Sequence, residues 1–499
     1  GAQAMRDEVG AGVAPFDLWM GSMMANSARD PLWRAVVSAE VAATPAAREA
    51  IEAKCTRCHA AAGNYESEAP SMALIDATDT AGHLARDGVT CTVCHGIEPD
   101  GLGTDDSFTG HWVIGDERVA YGPHAQPQAR PMEMHTGITP RQGDHITDAA
   151  LCGSCHTLLT DALTADGEAT GHQLVEQATY LEWRNSRYPQ ANLTCQACHL
   201  PTMSAQGVPL QTAIARNPGG QDFPFVQPRA PYGRHVLVGG NTLVPRVLDT
   251  FRAVLNPQAT PAAFATTVAA ARAQLARAAR LELMAARRDG DVIELPITVH
   301  NQAGHKLPSG IPTRRAWLRV TVRDAADAVV FDSGAHDAEG RLVADGAVLP
   351  SERADGPIQP HHQVIERADQ VQIYASVMCD PDGVPTGRLL RAATYCQDDR
   401  LLPAGWRADH ADGPRTAPVG ADDDPDFVAG QDTVTYRVAA PVGAGPYTVR
   451  ARLLYQTLGA RFAADLFAVD TPEIRQLRFF LQTVPALPEI IAEAELSVE

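Results

Sequence analysis

The stretch that decides the fold is CTRCH, residues 55–59. Two cysteines stand three residues apart, and a histidine follows the second cysteine directly. The same pattern returns as CTVCH (residues 91–95), CGSCH (152–156) and CQACH (195–199). Eight of the ten cysteines therefore belong to one repeated C-x-x-C-H motif.

The spacing within each motif is that of a c-type haem attachment site. Cysteines at i and i+3 lie on one face of a helical turn, so both thiols can bond to the two vinyl groups of one haem. The next residue then offers its imidazole to the iron. The expected thioether cysteines are Cys55, Cys58, Cys91, Cys94, Cys152, Cys155, Cys195 and Cys198. The expected proximal ligands, one for each of four haem c groups, are His59, His95, His156 and His199.

Two other uses of a C-x-x-C pair fit less well. Structural zinc uses paired C-x-x-C units, or cysteines with histidines at wider spacing, and leaves the adjoining histidine unexplained. A thioredoxin-like redox motif needs a βαβ context and does not occur four times with a trailing histidine. We therefore predict haem.

Charge and hydropathy restrict the partners. A formal net charge of -19 disfavours nucleic acid, because phosphate groups would be repelled. Redox proteins, or further copies of this chain, are the expected partners. No run of 18 or more apolar residues appears, so we expect no transmembrane segment. The opening GAQAMRDEVG has no basic start and apolar core, so we expect an N-terminus already processed by removal of any export signal.

The composition changes along the chain, and we predict an α+β protein. Successive motifs begin 36, 61 and 43 residues apart, in segments rich in Gly, Pro and Asp. Such segments suit a tetrahaem cytochrome c domain of short helices and loops (residues 1–257), in which haem supplies much of the buried apolar surface. A connecting helix is predicted over 258–280, where Pro261 suits a first turn and apolar residues recur near helical spacing.

Residues 281–499 are predicted to form an antiparallel β-sandwich-like domain. Short β-type runs are broken there by Gly, Pro and Asp, and Asp289-Gly290 is a hairpin signal. We expect the strands at 432–441 and 445–458 to be neighbours. The acidic run ADDDPD (421–426) is expected to be a solvated loop rather than a calcium site.

Thirteen of the 17 histidines lie outside the motifs and are candidates for the distal face of an iron. His145 lies seven residues before the third motif, and His83 lies eight before the second. Such positions suit a neighbouring haem better than the next haem along the chain. His135 lies in PMEMHTG, and His235 lies in GRHVLVGGN, where glycines permit close backbone approach. Each has the alternative of being a surface or hydrogen-bonded histidine.

Several segments resemble bacterial multihaem c-type cytochromes: WMGSMMANSARDPLW (19–33), DGVTCTVCHG, LCGSCHTLLT, EQATYLEWRNS, CQACHLP and HVLVGGN. In organisation they are similar to the tetrahaem cytochromes that accept electrons in nitrifiers. NQAGHKLPSGIPTRRAWLRVTV (301–322) also resembles a segment that follows the haem region in many such proteins. The resemblance covers roughly residues 19–322 and implies electron transfer through stacked haems.

The resemblance also implies a set of distal ligands, namely His135, His145 and His235. In related tetrahaem proteins, a W-x-x-S-x-H pattern supplies a further histidine. This chain has Trp19 and Ser22, and then Met24 at the histidine position. We therefore predict Met24 as the fourth distal ligand. Packing of Met24 in an apolar helix face, a five-coordinate iron and ligation by His83 are the alternatives.

Haem attachment of this kind implies a periplasmic or extracellular location. In such an oxidising compartment the two remaining cysteines, Cys379 and Cys396, are expected to form a disulfide. Two buried free thiols are the alternative. We interpret the loop around His305, with Lys306, Arg314 and Arg315, as packing the β-domain on the haem domain, with its cations near haem propionates.

Electron transfer is the function that these observations favour, and an enzyme is less expected. One alternative is a multihaem reductase or oxidase for a small nitrogen or sulfur compound, which needs an iron with an open face. Another is a subunit of a conductive filament, in which protomers stack head to tail through a non-closing contact.

Overall fold

The computed structural model describes residues 5–204, 206–211 and 226–499. It consists of two compact units. The first comprises Gly1–Val37, Ala47–Leu158 and Pro189–Ala271. The second comprises Ser38–Ala46, Leu159–Tyr188 and Arg272–Glu499. The second unit thus includes two segments, 38–46 and 159–188, that lie before the last C-x-x-C-H motif in the sequence.

The helices are short, as expected where loops carry much of the chain. In chain order they are α1 Pro15–Trp19, α2 Met23–Asn26, α3 Pro31–Ala43, α4 Arg48–His59, α5 Ala61–Glu66, α6 Ala73–Asp76, α7 Thr80–Arg86, α8 Cys91–Gly96, α9 Ala129–Thr136, α10 Ala149–His156, α11 Thr179–Arg184, α12 Cys195–His199, α13 Leu243–Thr250, α14 Arg252–Leu255, α15 Pro261–Leu275, α16 Gly413–Thr416, α17 Ala460–Leu466 and α18 Pro472–Thr483. The division between the units falls within α3 and α15.

Most strands belong to the second unit. In chain order they are β1 Val119–Gly122, β2 Thr139–Gln142, β3 Leu158–Leu163, β4 Ala169–Gln177, β5 Ala279–Leu283, β6 Arg287–Asp289, β7 Val292–Asn301, β8 Arg315–Arg323, β9 Val329–Ser333, β10 Ala335–His336, β11 Leu342–Ala344, β12 Ala347–Val348, β13 Val364–Ile365, β14 Ile373–Cys379, β15 Thr394–Asp398, β16 Gln431–Ala439, β17 Tyr447–Gln456 and β18 Glu489–Val498. The first unit holds the parallel pair β1–β2.

Two larger sheets form the core of the second unit, which also holds the pair β3–β4 and the small sheet β10-β11-β12. One has the strand order β13-β16-β7-β5, with β6 also paired to β7. The other has the order β15-β14-β8-β17-β18, with β9 also paired to β8. Alternate residues of the strands are buried, and both sheets contribute to one apolar core that includes Ile297, Tyr436, Leu318 and Leu453. Two sheets that share a core between their inner faces form a sandwich.

The predicted α+β class is confirmed, with short helices in the N-terminal part and several sheets in the C-terminal part. The hairpin signal is also borne out, because Asp289 pairs with Val292 across a turn in which Gly290 has φ +57°. The expectation that the strands at 432–441 and 445–458 are neighbours is wrong. Strand β16 pairs with β7, whereas β17 pairs with β8 and β18 in the other sheet. Alternation identifies a buried face but does not specify the partner strand.

The basic loop after β7 has a different role from the expected one. Lys306 is buried, and its Nζ lies 2.7 Å from Asp398 Oδ2. Arg315 is also buried and pairs with Glu352 at 2.7 Å. Both cations are therefore neutralised by carboxylates within the second unit. These two ion pairs lie in the interior of the second unit, where a buried charge needs a partner at close range.

Candidate haem sites

Every C-x-x-C-H motif lies on a helix. The first motif ends α4, the second begins α8, the third ends α10 and the fourth forms α12. Capping side chains fix two of these helices at their N-termini. Thr90 Oγ1 accepts a hydrogen bond from Val93 N (3.4 Å), and Asp148 Oδ1 accepts one from Ala150 N (2.8 Å). Each cysteine pair thus occupies one helical turn, as attachment to a single haem requires.

The third motif is next to both the first and the fourth. Its Cys155 thiol is close enough to Cys58 to influence the pKa of that thiol, and its Cys152 thiol is similarly close to Cys195. The Gln196 side chain of the fourth motif donates to the carbonyl oxygens of Ile146 (3.1 Å) and Asp148 (2.7 Å), just before α10. Cys94 of the second motif and Cys155 of the third pack against the same apolar cluster, so four motifs that are distant in sequence are gathered together.

A loop at residues 108–112 ties the first motif to the third. Arg57 Nε donates to Gly110 O (2.8 Å), and Gly110 N donates to Ser154 O (2.7 Å). The Arg57 guanidinium also lies 3.6 Å from the ring centroid of Trp112. Gly110 has φ +79°, and a Cβ there would lie 2.9 Å from Cys58 Sγ. Only glycine permits both this backbone conformation and this approach to the cysteine.

The His95 ring of the second motif lies next to the His235 ring. Their ring centroids are 6.3 Å apart, and the ring planes are inclined by 29°. Two imidazoles bound to one ion, each through a bond of about 2 Å, place their ring centres about 6 Å apart. His235 was predicted as a distal ligand, and the structure brings it opposite a predicted proximal ligand.

Backbone carbonyls orient both rings of this pair. His95 Nδ1 lies 2.5 Å from Tyr121 O, and His235 Nδ1 lies 2.9 Å from Gly233 O. A carbonyl oxygen can only accept, so Nδ1 carries the proton and Nε2 keeps its lone pair for a metal. Burial, with His95 nearby, lowers the pKa of His235 to about 4. The ring is therefore in the neutral form that binds metal.

Two further proximal histidines, His199 and His59, are oriented in different ways. His199 Nδ1 lies 2.7 Å from Val238 O, the same arrangement as at His95. His59 Nδ1 is buried and has no hydrogen-bond partner within the described part of the chain. Instead, the His59 ring stacks on Trp33, with centroids 4.6 Å apart and planes inclined by 5°. Burial lowers the pKa of His59 to about 4 and keeps this ring neutral as well.

The other predicted distal ligands have different surroundings. His145 Nε2 hydrogen-bonds Ile97 O (2.9 Å), just beyond the second motif, and this leaves Nδ1 as its lone-pair nitrogen. Met24 packs against an apolar cluster that includes Val93 of the second motif. His135 is exposed on α9. His83 is also exposed, and its Nδ1 lies 3.1 Å from Arg86 Nη2.

These residues fit covalently bound haem. Each cysteine pair has the required helical spacing, and the cysteines of the motifs carry no disulfides. The His95–His235 pair has the separation of two axial ligands, and carbonyls or aromatic stacking orient the rings. The orienting groups Trp33, Tyr121 and Val238 were not predicted from the sequence. Trp33 lies in a segment that resembles multihaem cytochromes. Tyr121 and Val238 act through their backbone carbonyls, so their side chains give no indication of this role in the sequence.

Comparison with known proteins agrees with this assignment. Residues 15–96 match the family described as cytochrome c554 and c-prime, a segment that contains the first two motifs. No curated protein sequence matches the chain. Among solved structures, the chain is similar to a penta-haem cytochrome c552 from Thermochromatium tepidum. The two share 16% sequence identity with a TM-score of 0.56, over 97% of this chain and 96% of that chain.

The fold is therefore that of a multihaem cytochrome, and the match at the first two motifs supports a multihaem c-type cytochrome. The structural neighbour is penta-haem by its description, whereas this chain carries four C-x-x-C-H motifs. Among the described residues, no helix has both the length and the apolar character needed to cross a membrane.

Proposed function

We propose that this chain is a tetrahaem electron-transfer protein. Its eight motif cysteines hold four haem c groups, and the four motif histidines are the proximal ligands. When bound, haem supplies reversible one-electron chemistry. The protein sets the spacing of the haems, orients their ligands and controls access of water to them.

The observation that carries the proposal is the contact between cysteines of different motifs. Cys58 approaches Cys155, and Cys152 approaches Cys195. Because each cysteine is an attachment point for the edge of a haem, this proximity brings the edge of the third haem close to the edges of the first and the fourth. An arrangement of this kind suits transfer along a chain of cofactors. In this proposal His95 and His235 hold one iron on both faces, which leaves that iron no position for a substrate.

Haem analysis and ligand binding test the proposal together. The holoprotein should contain four covalently bound haems, and a Cys195→Ser, Cys198→Ser double variant should contain three. Cyanide and nitrite should leave the absorption spectrum of the oxidised protein unchanged. Fewer than four haems would contradict the count. If one haem binds nitrite and turns it over, the protein is a reductase and the electron-transfer proposal is wrong.

An exported location follows from the same proposal. The periplasm or the extracellular space is where covalent haem attachment and a structural disulfide both belong. Cys379 and Cys396 have Cα atoms 5.5 Å apart, within the range for a disulfide. We expect neither cysteine to react with a thiol reagent in the denatured protein until a reductant is added. Free reaction without reductant would contradict the pairing.

A further inference from the structure

A cluster of buried acidic side chains in the β-sandwich surrounds one histidine, His361. His361 precedes β13, and its side chain is 3% exposed. Asp399 follows β15, Asp424 lies in the acidic run before β16, and Asp432 is the second residue of β16. The side chains of these three aspartates are 0%, 2% and 0% exposed. The acidic run was expected to be solvated, but Asp424 is turned into the interior.

The two nitrogens of the His361 ring have different neighbours. Nδ1 lies 2.9 Å from Gln372 Nε2 and 3.2 Å from Asp399 Oδ2. Nε2 lies 3.1 Å from Asp424 Oδ2 and 3.7 Å from Asp432 Oδ1. Nδ1 therefore lies between the Gln372 amide and a single carboxylate, whereas Nε2 faces two carboxylates at once.

One of these carboxylate oxygens is left without a hydrogen bond. Tyr374 donates its hydroxyl to Asp432 Oδ2 at 2.6 Å and fixes the orientation of that carboxylate. Asp432 Oδ1 is then turned toward His361 and Asp424, and it is buried with no hydrogen-bond partner among the residues that the structure describes. An unsatisfied charged oxygen in a protein interior is costly, and the cost is removed when a cation binds to it.

The charge in this cluster also needs a cation. Three buried carboxylates surround a single imidazole, so negative charge exceeds positive charge whether or not the ring is protonated. Asp424 uses its other oxygen to accept from the backbone N–H of Asp426 (3.0 Å), and Asp399 accepts from that of Ala375 (3.1 Å). These bonds orient the carboxylates but do not neutralise them. A divalent cation would.

We propose that His361, Asp424 and Asp432 bind a divalent transition-metal ion of the Zn²⁺ class, in a site separate from the haem irons. The three ligand atoms lie within 4.8 Å of one another. Bonds of about 2.0–2.2 Å to a tetrahedral ion place its ligands about 3–4 Å apart, so a small closure completes the site. One nitrogen and two carboxylate ligands suit zinc and its neighbours, whereas calcium prefers oxygen ligands alone.

Asp399 has a separate role in this site. Its carboxylate lies 3.2 Å from His361 Nδ1, and with Nε2 bound to the metal the Nδ1 proton would be donated to this carboxylate, the arrangement of a carboxylate–histidine–metal triad. Phe427 packs edge-on against the His361 ring at 5.0 Å and excludes water from that side. Asp399 is therefore a positioning residue, and loss of its charge should weaken metal binding about 10- to 100-fold.

Zinc binding to the haem-loaded, full-length protein tests the proposal. The protein is stripped with a chelator, titrated with Zn²⁺ by calorimetry, desalted and analysed for zinc against haem iron. We expect one tightly held zinc per chain and a higher melting temperature after loading. Asp424→Asn and Asp432→Asn should lose that zinc, and Asp399→Asn should bind it more weakly.

The matched control is Asp423→Asn. Asp423 lies in the same acidic run, is exposed, and loses the same charge on substitution. This variant should keep the full zinc content and affinity. The haem spectrum of each variant shows whether it has folded. If the parent protein retains no more zinc than Asp432→Asn, the site is a metal-free ion network and the proposal is wrong.

Discussion

His235 lies opposite His95, with the ring centroids 6.3 Å apart, although the two residues are 140 positions apart in the chain. The segment that carries His235 also supplies Val238, whose carbonyl oxygen orients His199 of the fourth motif. One short loop therefore contacts the ligands of two haem sites. A change in the backbone of this loop would therefore alter the ligand geometry at both the second and the fourth haem sites.

Replacement of His235 by alanine should open one iron. We expect one haem in four to change from low spin to high spin and to bind cyanide, because its distal nitrogen is gone. Electron paramagnetic resonance and cyanide titration measure both effects. His172→Ala is the control, since His172 is exposed on β4. Four low-spin haems in the His235→Ala protein would contradict ligation by His235.

Local features of the haem sites can be predicted from the sequence, whereas features that depend on the tertiary fold cannot. The C-x-x-C-H motifs are local, because a helical turn brings the two thiols to one face, and the chain could be assigned four haem sites from them. The position of His235 opposite His95 depends on the tertiary fold. Resemblance suggested His235, but it suggested His135 equally, and His135 is exposed on α9.

The β-domain shows the same division between local and long-range information. Alternation and the Asp289-Gly290 turn predicted strands and a hairpin. Neither could show that β16 and β17 lie in different sheets, because an inward-facing residue packs equally well against either partner. The expectation that the acidic run at 421–426 is solvated was wrong at Asp424 for a related reason. Composition predicts solvation, yet the buried partners of Asp424 come from distant segments.

Met24 tests the ligand set implied by resemblance. If it binds an iron, Met24→Ala should abolish the methionine-to-iron charge-transfer band of the oxidised protein. If Met24 only packs in its apolar cluster, the spectrum should stay unchanged while the protein loses about 2–3 kcal/mol of stability. Met23→Ala is the neighbouring control on α2. We expect the spectral change, and absence of the band in the parent protein would rule out Met24 as a ligand.

Trp33 should determine the orientation of the His59 ring at the first haem site. It is the stacking partner of that ring, and His59 Nδ1 has no hydrogen bond among the described residues. Trp33→Ala should cost about 3–5 kcal/mol of unfolding free energy and broaden the resonance signal of one haem, since the ring is free to rotate. Trp33→Phe keeps a stacked ring and should retain most of the stability and a narrow signal. Equal signals in both variants would show that stacking does not orient His59.

Glu40, on α3, should make the second unit less stable as the pH rises. Its carboxylate is buried and accepts from the backbone N–H groups of Leu389 (2.9 Å) and Leu390 (3.2 Å). Burial outweighs the nearby Arg388 charge and these hydrogen bonds, and raises the pKa of Glu40 to about 7. The folded state therefore binds the proton more tightly than the unfolded state does. Stability from this group is complete below about pH 4.5 and is lost as the pH rises to about 7.

The loss of unfolding free energy is set by the difference between the folded and unfolded pKa values of Glu40. It amounts to about 3 kcal/mol between about pH 4.5 and 7. Glu40→Gln removes the titrating group, so its stability should vary less between about pH 5 and 7 than that of the parent protein. Urea unfolding followed by circular dichroism at several pH values measures the difference. Glu49→Gln, at an exposed position on α4, should follow the parent curve. Parallel curves for the parent and Glu40→Gln would mean that Glu40 is already ionised in the folded protein, held by the two backbone N–H groups.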